Sequence, residues 1–121
     1  MRDYTKIEAW KLADELTVAV YKATQSFPRE EIYGLTSQLR RASYSVPANI
    51  VERSSRGSKK DYLHFLHISR GSLSETQYFI HLSRRLGYLS DADAECLMDQ
   101  TRRAFACLHG LMKAVEKEAG N

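Results

Sequence analysis

Apolar residues recur every three or four positions along most of the chain, the spacing of helices that each bury one face. The first such segment runs from about residue 5 to 26 and the second from about 35 to 54. The third runs from about 59 to 86, and the fourth begins after Ser90. No segment alternates convincingly as a strand does. The pattern therefore predicts an all-α chain of four helices.

Short segments with helix-end signals separate the predicted helices. Phe27-Pro28 ends the first helix, because the residue before proline is disfavoured in the α conformation. Gly87 is a C-terminal stop for the third helix. The expected N-caps are Thr36 or Ser37 for the second helix, Ser58 for the third and Ser90 for the fourth. Because the connections are short, we expect an antiparallel up-down four-helix bundle, with residues 1–121 as a single domain.

The composition is that of an ordinary globular protein, with 43% hydrophobic and 27% charged residues. No run approaches the ~20 apolar residues of a membrane span. The N-terminus lacks the apolar stretch of a signal peptide, so we expect a cytoplasmic protein with no membrane partner. Cys96 and Cys107 lie about 16 Å apart on the fourth helix, too far for a mutual disulfide, and are expected to be buried free thiols.

The second helix carries two unusual residues on or beside its apolar face, Pro47 and Asn49. Pro47 has no N–H and crowds the carbonyl of Ser43, so a bend or local loosening is expected. Asn49 is expected to bond to the backbone that Pro47 frees or to side chains of the third helix.

A tight turn near Gly57 joins the second and third helices, which allows their residues to be matched by height. Ser45 is expected to face Ser69, and small residues on both helices allow a close approach. Glu75 falls near Gln38 and Arg41 and is expected to pair with one of them. The predicted polar network consists of Gln38, Arg41, Ser45, Asn49, Ser72 and Glu75. It either fixes the register of the two helices or forms a ligand or partner site.

Basic residues concentrate between positions 39 and 60, although the whole chain has a net charge of only +3. That segment has six basic residues and one acidic residue, Glu52. The cluster is either a solvated surface or an anion-binding surface, with nucleic acid as the obvious polyanion. The candidate nucleic-acid contacts are Arg40, Arg53, Arg56, Lys59 and Lys60, with Arg84 and Arg85 secondary.

Signals for catalysis or a metal site are missing from the sequence. A di-iron bundle needs Glu-x-x-His motifs, and none occurs. His64 and His67 are three residues apart but lack the second ligand pair of a zinc site. There is no phosphate-binding Gly-rich loop, CxxC pair or nucleophile elbow. We therefore predict no catalytic residues, no metal and no cofactor, in a protein that is not an enzyme.

Several motifs together resemble those of the four-helix-bundle proteins encoded in intervening sequences of 23S rRNA genes. The matching residues are Phe27-Pro28, Glu31, Tyr33-Gly34-Leu35, Gln38, Arg40-Arg41-Ala42, Ser45, Asn49-Ile50, Glu52, Arg56, Ser58, Asp61-Tyr62, Phe65-Leu66, Gly71-Ser72, Glu75 and Leu86-Gly87-Tyr88-Leu89. The family pattern usually continues Asn-Ile-Ala-Glu-Gly, whereas this chain has Val51 and Arg53.

The resemblance implies a homo-oligomer, with a pentameric ring as the expected form. The chain is also similar to the accessory variability protein of diversity-generating retroelements, which binds nucleic acid and a reverse transcriptase. The first hypothesis is therefore a non-enzymatic homo-oligomer that binds RNA or DNA, and whose partners include a nucleic-acid-processing protein. The alternatives are a protein-interaction scaffold with no nucleic-acid role and an enzyme or ligand binder that uses the polar network.

Overall fold

Each helix buries the face that its apolar spacing predicts. The computed structural model describes residues 3–52 and 57–120. Its α-helices are α1 (Glu8–Thr24), α2 (Leu35–Val51), α3 (Lys59–Arg85) and α4 (Asp91–Ala119), and short 3-10 turns occupy Tyr4–Lys6 and Arg29–Glu31. The described ranges contain no strand, so the all-α prediction is confirmed.

The four helices form a square arrangement in which consecutive helices are neighbours. α1 and α3 each pack against both α2 and α4, which places α1 and α3 diagonally across the bundle. The core is built from leucine, isoleucine, valine and alanine of all four helices, with Leu16, Leu39, Leu73 and Leu108 nearly inaccessible to solvent. Within the described ranges no helix combines the length and apolar character needed to cross a membrane.

Helix α1 is shorter than the predicted span of residues 5 to 26. The Asp3 carboxylate accepts a hydrogen bond from the backbone N–H of Thr5 and caps a separate 3-10 turn. Ile7 is extended between that turn and α1. At the other end, α1 stops at Thr24, before Phe27-Pro28. The predicted end of the second helix at Ser54 lies outside the described residues.

The third and fourth helices begin, and the third helix ends, as their end signals predict. Ser58 accepts from the N–H of Asp61, and Ser90 accepts from the N–H of Asp93, each at 3.0 Å. At the end of α3, Gly87 has a φ of +79°, a conformation that favours glycine. The N–H groups of Gly87 and Tyr88 bond to the carbonyls of Arg84 and Ser83, which is a Schellman motif.

The N-cap predicted for α2 is wrong. Neither Thr36 nor Ser37 caps the helix; Glu31 Oε1 accepts a 3.0 Å bond from the N–H of Leu35. A Cβ atom on Gly34 would come within 2.6 Å of that carboxylate oxygen. Glycine therefore lets the carboxylate reach the start of α2.

The cysteines also depart from expectation in part. Both are free thiols, but Cys96 is exposed and Cys107 is only partly buried. Cys96 lies in a shallow groove where Ala19 and Ala23 of α1 meet α4.

A residue of another helix compensates for Pro47, which is buried inside the continuous α2. Proline cannot bond to the carbonyl four residues earlier, that of Ser43. The Thr17 hydroxyl of α1 lies 3.0 Å from this carbonyl oxygen and 2.9 Å from that of Ala13, so its one proton has two acceptors within reach. Asn49, which was expected to bond to the freed backbone or to side chains of the third helix, donates instead to the carbonyl and the hydroxyl of Ser45 in its own helix.

We predict that Thr17→Val lowers the free energy of unfolding by about 1–2 kcal/mol, because the carbonyl of Ser43 loses its donor. In a Pro47→Ala background the new N–H supplies that bond, so the same substitution should cost clearly less. Urea unfolding of the four variants measures this coupling. Thr101→Val is the control, because the Thr101 hydroxyl bonds only to the Leu97 carbonyl of its own helix. Equal costs of Thr17→Val in both backgrounds would contradict the compensation.

Candidate nucleic-acid interface and polar seam

The predicted basic contacts do not form one patch on a single chain. Lys59 and Lys60 begin α3, whereas Arg84 and Arg85 end it. The rise of an α-helix places Lys60 and Arg85 about 37 Å apart. Arg53 and Arg56 lie outside the described residues.

Two of these basic side chains are engaged in ion pairs at the ends of the bundle. Lys59 Nζ lies 3.0 Å from Glu118 Oε2, and Arg84 Nε lies 2.9 Å from Asp91 Oδ1. Each pair connects α3 to α4. Lys60 and Arg85 are exposed and form no ion pair within the described ranges, which leaves them available to an external anion.

Arg40 is a structural residue. Its Nε donates a 2.8 Å bond to Thr24 Oγ1, and its Nη2 lies 3.4 Å from the carbonyl oxygen of Tyr21. Its guanidinium also lies 4.6 Å from the centre of the Tyr21 ring, within the range of a cation–π contact. Arg40 of α2 therefore satisfies the C-terminal turn of α1 with its Nε and Nη2 atoms.

Part of the predicted polar network exists as a seam between α2 and α3. The Ser72 hydroxyl donates to Ser45 Oγ at 2.9 Å, and Asn49 Nδ2 donates to the same oxygen at 3.0 Å. One layer away, the buried Ser69 donates to the carbonyl of Val46 at 2.8 Å. Ser45 thus meets Ser72, one turn further along α3 than the predicted partner Ser69. We call Ser45, Asn49, Ser69 and Ser72 the serine seam.

The remaining network residues stand apart from the serine seam. Gln38, Arg41 and Glu75 are exposed, and the described part of the chain offers none of them a hydrogen bond or ion pair. The expected pairing of Glu75 with Arg41 or Gln38 does not form within one chain. In the antiparallel pair of α2 and α3, the residue numbers of two facing residues add up to about 116, as the bonds of the seam show. Arg41 and Glu75 therefore lie at the same height on neighbouring helices.

A junction between two loops was not predicted from the sequence. While Glu31 Oε1 caps α2, its Oε2 accepts a 2.9 Å bond from the Tyr88 hydroxyl. The Tyr88 ring also packs against Phe27, with the ring centres 5.5 Å apart. The bond to Glu31 is the main cause that raises the pKa of Tyr88 above its ordinary value. All of these residues belong to the motifs that carry the family resemblance. The spacing of apolar residues along a helix, however, does not show that two loops far apart in the chain are in contact.

Two separate groups of exposed apolar side chains mark the surface. The first, the α1–α2 face, comprises Val18, Tyr21 and Tyr44 and continues into Ile32. A cleft of about 240 Å³ on this face is lined by Arg40 and Arg41, without any carboxylate among its lining residues. The second group, the α3 edge, comprises the exposed Ile68 and Leu86 and the half-buried Phe79 and Leu82. Glu75 lies in line with it, at helical spacing from Phe79 and Leu82.

The fold and the serine seam define an antiparallel four-helix bundle whose middle hairpin is held by hydroxyl groups. A family model, 23S rRNA-intervening sequence protein, matches residues 5–110, and the chain belongs to this family. The chain is similar to a crystal structure of a protein of unknown function from the S23 ribosomal protein family of Bacteroides thetaiotaomicron. The TM-score is 0.77 at 22% identity, over 87% of this chain and 98% of the other, a likeness that concerns the fold. No curated protein matches the chain.

We predict that Arg40→Ala lowers the free energy of unfolding by about 1–3 kcal/mol, because Thr24 and the end of α1 lose a charged donor. At a protein concentration low enough to keep the chain monomeric, Arg41→Ala, one residue further along the same helix, removes an exposed guanidinium and should change stability by less than about 0.5 kcal/mol. Urea unfolding compares the two variants. Equal stabilities would show that the contacts of Arg40 contribute nothing.

Proposed function

We propose that the chain is a non-enzymatic bundle that associates with copies of itself and binds RNA or DNA through basic side chains. The observation that carries the nucleic-acid part is the exposure of Lys60 and Arg85, two cations on α3 without ion pairs in the described ranges. Phosphate groups neutralise such cations with little dependence on base sequence. A nucleic-acid-processing protein is a further partner in this proposal.

The distribution of charge favours a multivalent assembly over a single site. Among the predicted contacts, the described part of each chain offers two available cations, Lys60 and Arg85, which are separated by about 37 Å. In a ring of parallel copies, every chain presents the same cations at the same two ends. Many weak contacts then act together, and the affinity exceeds that of one chain.

The two apolar groups support a ring. A two-fold dimer uses one self-complementary patch, whereas a head-to-tail contact uses two different patches and gives closed rings when the rotation closes. The α1–α2 face carries Arg41 beside apolar side chains, and the α3 edge carries Glu75. We therefore propose that the α3 edge of one copy packs against the α1–α2 face of the next, with Glu75 opposite Arg41. A pentamer is the expected number of copies.

The nucleic-acid part is tested by titrating labelled single-stranded RNA and DNA at several salt concentrations. Wild-type binding should weaken steeply with salt, because bound phosphates release counterions. The double charge reversal Lys60→Glu/Arg85→Glu should reduce the affinity about tenfold or more at low salt. Lys22→Glu, an equally exposed charge reversal on the diagonally opposite α1, is the control and should have a much smaller effect. Absence of binding at low salt, or an equal loss in the control, would reject the proposal.

A charge swap tests the assembly. Glu75→Arg and Arg41→Glu should each shift the solution mass towards the monomer, because the contact then brings like charges together. The double variant should restore the assembly, since the opposite charges meet again with their positions exchanged. Light scattering after nuclease treatment measures the mass, and circular dichroism checks that each variant is folded. A wild-type monomer, or a double variant that remains dissociated, would contradict this contact.

The alternative of a protein-interaction scaffold predicts a different result. In that case the same apolar groups would bind another protein. A pull-down with the chain would then recover that protein in stoichiometric amount, and nuclease treatment would not release it.

A further inference from the structure

The outward face of α3 carries an uninterrupted line of exposed side chains without a carboxylate. Its members alternate between spacings of four and three residues, which keeps them on one side of the helix. We call this line the α3 ridge: Lys60, His64, His67, Gly71, Ser74, Tyr78, His81 and Arg85, all exposed. Asp61 and Glu75, the acidic residues of α3, each follow a ridge residue and therefore lie about 100° around the helix from it.

Three of the four histidines of the chain lie on this ridge. Histidine gains a positive charge as the pH falls from about 8 to about 5, whereas most carboxylates stay ionised until lower pH. The two permanent cations, Lys60 and Arg85, lie at the ends of the ridge, and the histidines lie between them. Protonation would therefore extend each end charge into a positive group, Lys60 with His64 and His67 at one end and Arg85 with His81 at the other, separated by about 21 Å.

We propose that the α3 ridge binds the phosphate backbone of a nucleic acid, and that protonation of His64, His67 and His81 strengthens this binding as the pH falls. This inference rests on the proposed function and names the surface and its regulation. Tyr78 adds a flat surface for a base, because the residue is 56% exposed and its ring centre lies 6.3 Å from that of His81.

Arg70 lies beside the ridge and contacts one of its histidines, His67. Its Nη2 lies 3.2 Å from His67 Nδ1, and because a guanidinium only donates, this nitrogen accepts and the ring is neutral in this arrangement. Protonation of His67 requires the two cations to separate or an anion to lie between them. A phosphate group satisfies both side chains, so ligand binding and protonation should favour each other.

The neighbouring helices carry charged groups of both signs along the height of the ridge. Both α2 and α4 run antiparallel to α3. The serine seam shows which residues of α2 lie level with the ridge, and the ion pairs at the two ends of α3 show the same for α4. From α2, the charged groups along this span are Arg40, Arg41 and Glu52. From α4, between residues 91 and 116, they are Asp91, Asp93, Glu95, Asp99, Arg102, Arg103, Lys113 and Glu116, together with the titratable His109. On α4 five carboxylates and three permanent cations therefore lie along this span, and Asp91 already contacts Arg84. Glu95 and Asp99 already contact Arg102 and Arg103.

Fluorescence anisotropy with labelled oligothymidine tests the proposal, because thymine does not titrate in this pH range. Affinity is measured from about pH 8 to about pH 5.5 at constant ionic strength. Wild-type affinity should rise about tenfold or more across this range. The dependence of log affinity on log salt should steepen by roughly 0.7 for each histidine that contacts a phosphate, and so by about 2 in all.

The triple variant His64→Gln/His67→Gln/His81→Gln should bind like the wild type near pH 8 and lose the rise at low pH. His109→Gln, which removes the remaining histidine from α4, is the matched control and should keep the rise. Circular dichroism at both ends of the pH range checks that each variant is folded.

The outcomes separate this inference from the proposed function. Salt-dependent binding near pH 8 with no change on acidification would overturn the inference and leave the function in place. A rise that survives in the triple variant would also overturn it. Absence of oligothymidine binding at every pH would reject both. A pH response with heparin but not with oligothymidine would show that the ligand is a different polyanion and would overturn the assignment to nucleic acid.

Discussion

The hydrogen bond from the Ser69 hydroxyl to the carbonyl of Val46 determines how the two central helices lie against each other. The Ser69 hydroxyl is buried, and the small serine side chain lets the backbones of α2 and α3 approach closely. A slip along the helices would take the Val46 carbonyl away from the buried Ser69 hydroxyl, and an unpaired buried hydroxyl costs more than a lost surface contact. With the register fixed, Arg41 and Glu75 lie at one height, and the α3 ridge points away from the bundle.

Helix α2 depends on both of its neighbours for hydrogen bonds that its own sequence cannot complete. On the side of α3, it accepts hydrogen bonds from Ser69 and Ser72 of the serine seam. On the side of α1 it receives the Thr17 hydroxyl, which reaches the carbonyl that Pro47 leaves without a helical donor. In return, Arg40 of α2 satisfies the last turn of α1. These exchanges involve polar groups that a helix normally satisfies within itself, so α2 is specified by its neighbours as much as by its own apolar face.

Periodicity and end signals were sufficient to predict the helices, because these depend on residues close together in the chain. The caps at Ser58 and Ser90 and the stop at Gly87 are of this kind. The cap of α2 was missed although Glu31 is only four residues from Leu35, because the capping carboxylate belongs to a separate 3-10 turn and also binds Tyr88 of a distant loop. The internal contacts of Arg40 were not predicted either: a basic residue in a basic segment suggests a ligand, and only the fold shows its contacts with Thr24 and Tyr21. The α3 ridge was present in the sequence as a spacing, but its exposure became evident only when the buried face of α3 was known.

The spacing of the α3 ridge also limits the shape of what can lie along it. Its residues repeat every seven positions, whereas a straight α-helix turns slightly less than twice in seven residues and drifts by about 20°. Over the length of the ridge the line therefore winds around α3 by roughly 70°. A molecule that follows it has to curve with it over about 37 Å. A single strand can bend over such a distance at little cost, whereas a duplex is stiff on this scale. The geometry of one helix thus favours a flexible polyanion over a rigid one before any base is recognised.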